Sequence, residues 1–351
     1  MTETLAPSAA STPAHPRPPR ARPRPFRLAL GATVGLALGT VALLPAEGLA
    51  QAGAWPQRAI RVVNPSSPGG GADVISRILM QEVSRTIGQS VVIDNRPGAA
   101  NIIATEIAAK SAPDGYTLLM AATGTFVTNP LIYAKLPYSI ADFEPISNVA
   151  DAPFILSVHP AVPAASVAEL VALARAQPGK LTYASFGKGS SSHLAGELFQ
   201  AMTSTRLIHV PYKGSAPGMA DLVAGNITMS FDSGLASIPN IQAKRIRPLG
   251  VAGARRLPNL PEVPTLSELG LQGFEAGSWY GVMAPARTPR DIVMRLHGSI
   301  VAALAVPEVA KRITDLGASI IGSTPEAFGT QIARERERWA EVVKRAGIQP
   351  E

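Results

Sequence analysis

The chain has 351 residues, with 32 lysines and arginines against 25 aspartates and glutamates, a formal charge of +7 and no cysteine. A chain of that length can bury a core unaided, and the lack of cysteine excludes disulfides, thiol nucleophiles and thiolate-held metals. The basic residues are dispersed, with no stripe and no interleaved aromatics, which excludes a nucleic-acid surface.

In chain order, Arg17, Arg20, Arg22, Arg24 and Arg27 form a Pro-rich basic stretch, an apolar run covers 28–44, and Gly48-Leu49-Ala50 puts small residues at the −3 and −1 positions of a cleavage site. This is the charge–apolar–small order of a secretory signal, expected over residues 1–50. The rival reading is a membrane anchor, but the Ala- and Gly-rich run is below the roughly 20 residues of a comfortable spanning helix. A start codon placed too far upstream is also open. Residues 1–50 hold five basic and two acidic residues, so the remainder carries +4. Mild positive charge of that kind suits an anionic ligand.

Residues 60–63 read as a strand, followed by Pro65-Ser66-Ser67-Pro68-Gly69-Gly70-Gly71 and a helix opened by Asp73. That helix carries Val74, Ile78, Leu79, Val83 and Ile87 at helical spacing and closes at Gly88. A strand at 91–93, a helix at 102–110 and a strand at 117–120 complete a β-α-β-α-β series, which predicts a mainly parallel sheet with helices on its faces. A second series starts with a strand at 154–158. Ser166 and Glu169 then form a capping-box pattern for a helix reaching 173. Further strands are expected at 181–184, 207–210, 227–231 and 247–251, and helices at 192–202 and 216–224. The tail from Asp291 reads as helical, punctuated by Pro307 and Gly317, with Pro325 opening the last helix and Trp339 packed inside. The fold class is therefore α/β, with two units, 51–155 plus 280–351 and 156–279, and a ligand cleft between them.

Two loops carry the chemistry. The first, at Ser66, Ser67, Gly69 and Gly70, lacks both the G-x-G-x-x-G of a dinucleotide fold and the Gly-Lys-Ser/Thr of a P-loop. It can instead offer backbone N–H groups to an anion at a helix N-terminus. Asp73 there reads as an N-cap turned toward its own helix, with direct ligand contact as the alternative. The second loop, at Ser185, Gly187, Gly189, Ser190 and Ser191, precedes His193 in the first turn of its helix. A catalytic serine is the competing reading, but Gly189-Ser190-Ser191-Ser192 does not fit G-x-S-x-G, and neither His193 nor His209 is assignable as its base. The scattered histidines His159, His193, His209 and His297 show no metal-binding spacing, and neither metal nor cofactor is expected. Asp232, at a strand end, either reads a ligand ammonium or hydroxyl or caps Gly234. Thr123, just past the third strand, joins the candidate ligand contacts. Two anion cradles without a catalytic cluster point to a binding protein for a small carboxylate.

The same segments resemble the periplasmic solute-binding components of tripartite tricarboxylate transporters, abundant in Bordetella and its relatives. The resemblance runs over nearly the whole mature sequence. It is carried by Trp55-Pro56, the 65–73 loop, V-I-D-N-R-P-G at 92–98, P-D-G-Y-T-L-L at 113–119 and Asn129-Pro130-Leu131-Ile132-Tyr133. P-G-K-L-T-Y-A-S at 178–185, H-V-P-Y-K-G at 209–214, Phe231-Asp232 and L-P-E-V-P-T at 260–265 extend it. It implies a type II periplasmic-binding-protein fold, a carboxylate held between the two loops through backbone amides and ordered waters, and capture followed by domain closure. A small and a large integral membrane subunit would be the partners, and the soluble receptor would work as a monomer in the periplasm. In members that bind amino acids, an aspartate at the Asp232 position can read the amino group. Ser66-Ser67 replaces the family's usual Phe-Pro pair, which adds polarity and removes an aromatic wall; Phe186 can tune the pocket. A receptor feeding a two-component sensor and a secreted serine esterase are the alternatives.

Overall fold

A computed structural model describes residues 55–345; the expected export signal at 1–50 lies outside them. The elements run β1 (Ile60–Asn64), α1 (Gly71–Ile87), β2 (Val91–Asn95), α2 (Ile102–Ala109), β3 (Thr117–Ala122), α3 (Asn129–Ile132) and β4 (Phe143–Val158). Next come α4 (Val167–Ala176), β5 (Thr182–Ser185), α5 (Ser191–Thr203), β6 (Ile208–Pro211), α6 (Ser215–Ala224), β7 (Met229–Ser233), α7 (Gly234–Gln242) and β8 (Arg247–Val251). The chain ends with β9 (Gly277–Pro285), α8 (Arg290–Ala305), α9 (Pro307–Asp315), β10 (Ser319–Ile320) and α10 (Pro325–Arg345). A π-helical turn, Gly124–Thr128, leads into α3.

Strands β1, β2 and β3 are mutually parallel, and so are β5, β6 and β7, as the βαβ alternation predicts. The whole sheet is nonetheless mixed rather than mainly parallel. Its order is β2-β1-β3-β9-β4-β7-β5-β6, with β8 and β10 also on β4. The long β4 runs antiparallel to β7, β8, β9 and β10, and β9 also runs antiparallel to β3. Residues 143–153 of β4 pair with β9 and residues 154–158 with β7. One strand thus passes from the first group of strands into the second.

Both faces of the first group are covered, and the period-2 geometry of a strand sorts its side chains between two cores. Leu118 and Met120 of β3 join Ile60 and Val62 of β1 under α1, α8 and α9. Leu119, Ala121 and Val63 point the other way, toward α2 and α10. On β9, Tyr280 and Val282 face the first core, and Trp279 and Met283 the second. Gly281 lies between them because a methyl there would overlap the Phe328 ring. Ile75, Leu79 and Val83 form the buried stripe of α1, each worth roughly 1.5–3 kcal/mol on burial. Gly88 ends that helix in the left-handed conformation, its N–H on the Ser84 carbonyl. The expected cap of α4 is half realised: Ser166 Oγ accepts from Glu169 N–H, while the Glu169 carboxylate reaches back to Ala165 rather than Ser166.

Candidate functional site

Loops leaving the carboxyl ends of β1, β3, β5 and β6 meet around one narrow cavity of about 40 Å³. Such strand ends are where open α/β sheets bind ligands. Its wall includes Ser66, Gly71 and Ala72 on one side and Ser190, Ser191, Gly214 and Ser215 on the other. Asn101, Gly124, Phe186, Ser278 and Tyr280 also contribute, and no charged side chain lines it. The starts of α1, α5 and α6 therefore converge on an uncharged space. The first N–H groups of a helix lack intrahelical acceptors and carry the positive end of the helix dipole.

The first loop spends its own glycine amides on holding its shape. Gly69 N–H donates to Asp73 Oδ2 at 2.9 Å, and Gly70 N–H to the Ser67 carbonyl at 3.0 Å. The amides left at the cavity are those of Gly71 and Ala72. Gly70, not Asp73, is the N-cap; Asp73 sits in the first turn and reaches back to the loop. Burial opposes its charge, but hydrogen bonds from Arg77, Gly69 and Asn95 prevail and hold its carboxyl below the usual range. The Arg77 pair at 2.9 Å offsets a negative charge that would otherwise face an incoming anion. Ser67 turns away from the cavity and donates to the Lys213 carbonyl at 2.7 Å.

The second loop is organised the same way. Ser190 caps α5 by accepting from His193 N–H and donates its own proton to the Gly187 carbonyl at 2.7 Å. Gly187 N–H goes to Ser185 Oγ, and Gly189 N–H to His193 Nδ1 at 3.1 Å. The Ser191 hydroxyl, at the cavity wall, has no protein partner among the described residues. Ser66, Ser190 and Ser191 thus reach the cavity, whereas Ser67, Gly69, Gly70, Asp73, Ser185, Gly187, Gly189 and His193 support the loops behind it. Thr123 accepts the Trp279 N–H at 2.9 Å and lines a separate, larger groove rather than this cavity.

Asp232 is also behind the wall, only 2% exposed. It accepts from Ser215 Oγ at 2.5 Å and from Ser233 N–H at 2.7 Å. Burial pushes its carboxyl up to about 7, against the opposing pull of those bonds. With its proton given to Asp232, Ser215 presents lone pairs to the cavity. Tyr280, beside it, donates to Ser233 Oγ at 3.3 Å. Gly214-Ser215, Asn101, Ser278 and Tyr280 escape the sequence reading; a strand followed by Gly214-Ser215 at a helix start is the signal that could have found the first pair.

The esterase alternative finds no nucleophile in the cavity. Among the described residues, neither Ser190 nor Ser191 has an imidazole within hydrogen-bond reach. Ser185 does touch His209 Nε2, at 2.6 Å, but it is fully buried away from the cavity wall. A larger groove of about 630 Å³ lies on the crossing segments of β4 and β9, beside Trp279 and Trp339. Its lining mixes Asp151, Glu275 and Glu335 with Arg255, Arg256 and Arg338, and burial pushes the Asp151 and Glu335 carboxyls up.

Residues 75–348 match the family described as the tripartite tricarboxylate transporter family receptor. A protein from the tcbD-tcbE intergenic region of Pseudomonas sp. strain P51 is 43% identical over 292 residues, covering 83% of this chain and 87% of that protein. Rpa4515 of R. palustris, solved with adipate, superposes with a TM-score of 0.82 at 39% identity, covering 85% of this chain and all of that one. MatC from Rhodopseudomonas palustris, solved with bound malate, gives 0.79 at 30% identity over 82% of this chain and 100% of its own. The periplasmic-binding-protein α/β fold is common to this chain and the two solved proteins.

Proposed function

The chain belongs to the tripartite tricarboxylate transporter family of receptors, and on that premise we propose that the cavity between α1, α5 and α6 grips its ligand by main-chain donors. It is a periplasmic binding protein for a small carboxylate, from a family of receptors rather than catalysts. The observation that carries the site is three helix starts meeting at a cavity without a single lysine or arginine. The ligand class favoured is a dicarboxylate such as the adipate or malate seen in the related proteins. One carboxylate would take the Gly71 and Ala72 amides, the other the start of α5 with Ser190 and Ser191. Each helix end contributes roughly 0.3–2 kcal/mol. A micromolar receptor needs about 8 kcal/mol in all, so several convergent bonds in a water-excluding cleft are required.

Capture is completed by closure. Residues 51–155 with 280–351 form one lobe in this reading and 156–279 the other, behind an export signal at 1–50. Around the cavity the loops of the two are tied by hydrogen bonds from Ser67 Oγ to the Lys213 carbonyl at 2.7 Å, Thr128 Oγ1 to the Gly189 carbonyl at 2.8 Å and Tyr133 OH to the Lys188 carbonyl at 2.6 Å. The closed monomer then presents both lobes to the small and large integral subunits. In the support layer, Gly69, Gly70, Asp73, Thr123, Ser185, Gly187, Gly189 and His193 keep the loops in register. Asp232 acts through Ser215, whose lone pair favours a hydrogen-bond donor on the ligand.

Titration calorimetry with adipate, succinate, malate, aspartate, citrate and benzoate tests this. A dicarboxylate is expected to bind at about micromolar strength or tighter, and benzoate far more weakly because it engages only one cradle. Silence across the whole panel would contradict the receptor site.

A further inference from the structure

Beneath the second loop, three rings are stacked. Tyr183 on β5 lies on His209 of β6 at 5.0 Å between centroids, and His209 lies on His193 of α5 at 4.0 Å. Each imidazole holds one bond of the loop. His193 Nδ1 accepts the Gly189 N–H at 3.1 Å, which places its own proton on Nε2, 3.7 Å from Glu197 Oε1. His209 Nε2 lies 2.6 Å from Ser185 Oγ, which in turn accepts the Gly187 N–H at 3.2 Å. On its outer side the same loop is bound by Thr128 at the Gly189 carbonyl and by Tyr133 at the Lys188 carbonyl. The loop that delivers Ser190 and Ser191 to the cavity is thus clamped between the histidine stack and the helical segment 124–133.

We propose that His193 and His209 are positioning residues for the carboxylate cradle, and that they hold it only while both rings are neutral, so that the receptor loosens its ligand in acid. The chemistry is local. A proton added to Nδ1 of His193 converts the acceptor of the Gly189 N–H into a donor, and the loop must leave it. Two imidazolium rings stacked at 4.0 Å would also repel, so the pair cannot absorb acid together. The groups facing the stack are Glu197, whose carboxylate also accepts from Tyr183 OH at 2.6 Å, and Lys188 of the loop itself. Burial first, then the neighbouring His193 and Lys188, push His209 down to about 4 despite the opposing pull of Glu197, so it stays neutral near pH 7.

The inference rests on the receptor reading above, and the experiment separates the two. Adipate and malate affinities are measured by calorimetry at pH 7.5 and 5.5 for the wild type, His193→Asn and His193→Ala. The asparagine carbonyl can stand near the Nδ1 position and cannot titrate. Comparing proteins at the same pH cancels titration of the ligand and of Asp232. Loss of one loop-setting hydrogen bond corresponds to about a tenfold change. The wild type is expected to weaken by about tenfold relative to His193→Asn between the two pH values, and His193→Ala to be weak at both. A wild-type profile parallel to that of His193→Asn would overturn the proposal. In parallel, the Gly189 amide resonance of the ligand-free protein is followed by NMR. It should titrate together with the His193 ring in the wild type and remain fixed in His193→Asn; a Gly189 amide indifferent to the ring in the wild type would also overturn it. Should no carboxylate bind at either pH, the receptor site fails, and the Gly189 amide titration alone decides whether the histidine pair sets the loop.

Discussion

A Gly71→Ala variant is expected to lose roughly 100-fold in dicarboxylate affinity while its melting temperature changes little. Gly71 is the first residue of α1, at the cavity wall. A methyl there would overlap the Tyr280 hydroxyl and come within 2.8 Å of Ser233 Oγ. Tyr280 is fully buried against β7 and cannot swing clear without entering the cavity. Either the start of α1 retreats, carrying its amides out of range, or the tyrosine fills the ligand's space. Overpacking of this kind costs about 1–3 kcal/mol, which falls on the cradle, while alanine favours the helix itself by up to about 1 kcal/mol. Gly69→Ala is the contrast. Nothing lies within 4 Å of its added methyl, but its φ of +84° penalises alanine. That variant should lose about 1–2 kcal/mol of stability. Its N–H stays on Asp73, so its affinity should remain within about threefold of the wild type. Calorimetry and thermal unfolding of both proteins check the pair; equal losses of affinity in the two would contradict the assignment of the working amides.

Asp232→Asn is expected to change the pH dependence of folding. A buried carboxyl raised from 3.8 to about 7 binds its proton more tightly folded than unfolded. Its contribution is therefore fully favourable below about pH 4 and is lost as pH rises through 7. The ligand-free wild type should weaken between those limits, by up to about 4 kcal/mol if the whole shift is realised. The asparagine variant should lose Asp232's share of that slope, keeping the part due to Asp151 and Glu335, and be the more stable protein at pH 8. Its amide can donate to Ser215, which frees the serine proton for the cavity. The preference for malate over succinate, which differ by a ligand hydroxyl, should then fall by about tenfold. Denaturant unfolding at pH 4, 6 and 8 reads the first effect and calorimetry the second. Identical pH slopes for the two proteins would remove Asp232 from the account.

The repeated βα units were legible because each strand is followed by a helix with an apolar stripe, as in Ile60–Asn64 before Gly71–Ile87. Strand β9 carries no such signal. Gly277–Pro285 is buried along nearly its whole length, so no alternation of polarity marks it. The first half of β4 is interrupted by register shifts beside Pro145 and near Asn148, and its periodicity is blurred accordingly. These two strands are the ones that make the sheet mixed. Helix α7 contains Pro239, which reads locally as a helix breaker. At the site, both loops were legible as glycine- and serine-rich turns before helices. Which amides remain available was not, because it depends on long-range partners: Asp73 must fold back on Gly69, and His193 on Gly189. The α6 cradle was hidden for the same reason, since only the fold brings Gly214 and Ser215 against Ser66.

The most direct measurement is a crystal structure of the protein with adipate. One carboxylate is expected within about 3.2 Å of the Gly71 and Ala72 amides, and the other at the Ser191 amide and hydroxyl at the start of α5. Adipate seated in the Trp279–Trp339 groove, or held in the cavity with those amides pointing elsewhere, would contradict it.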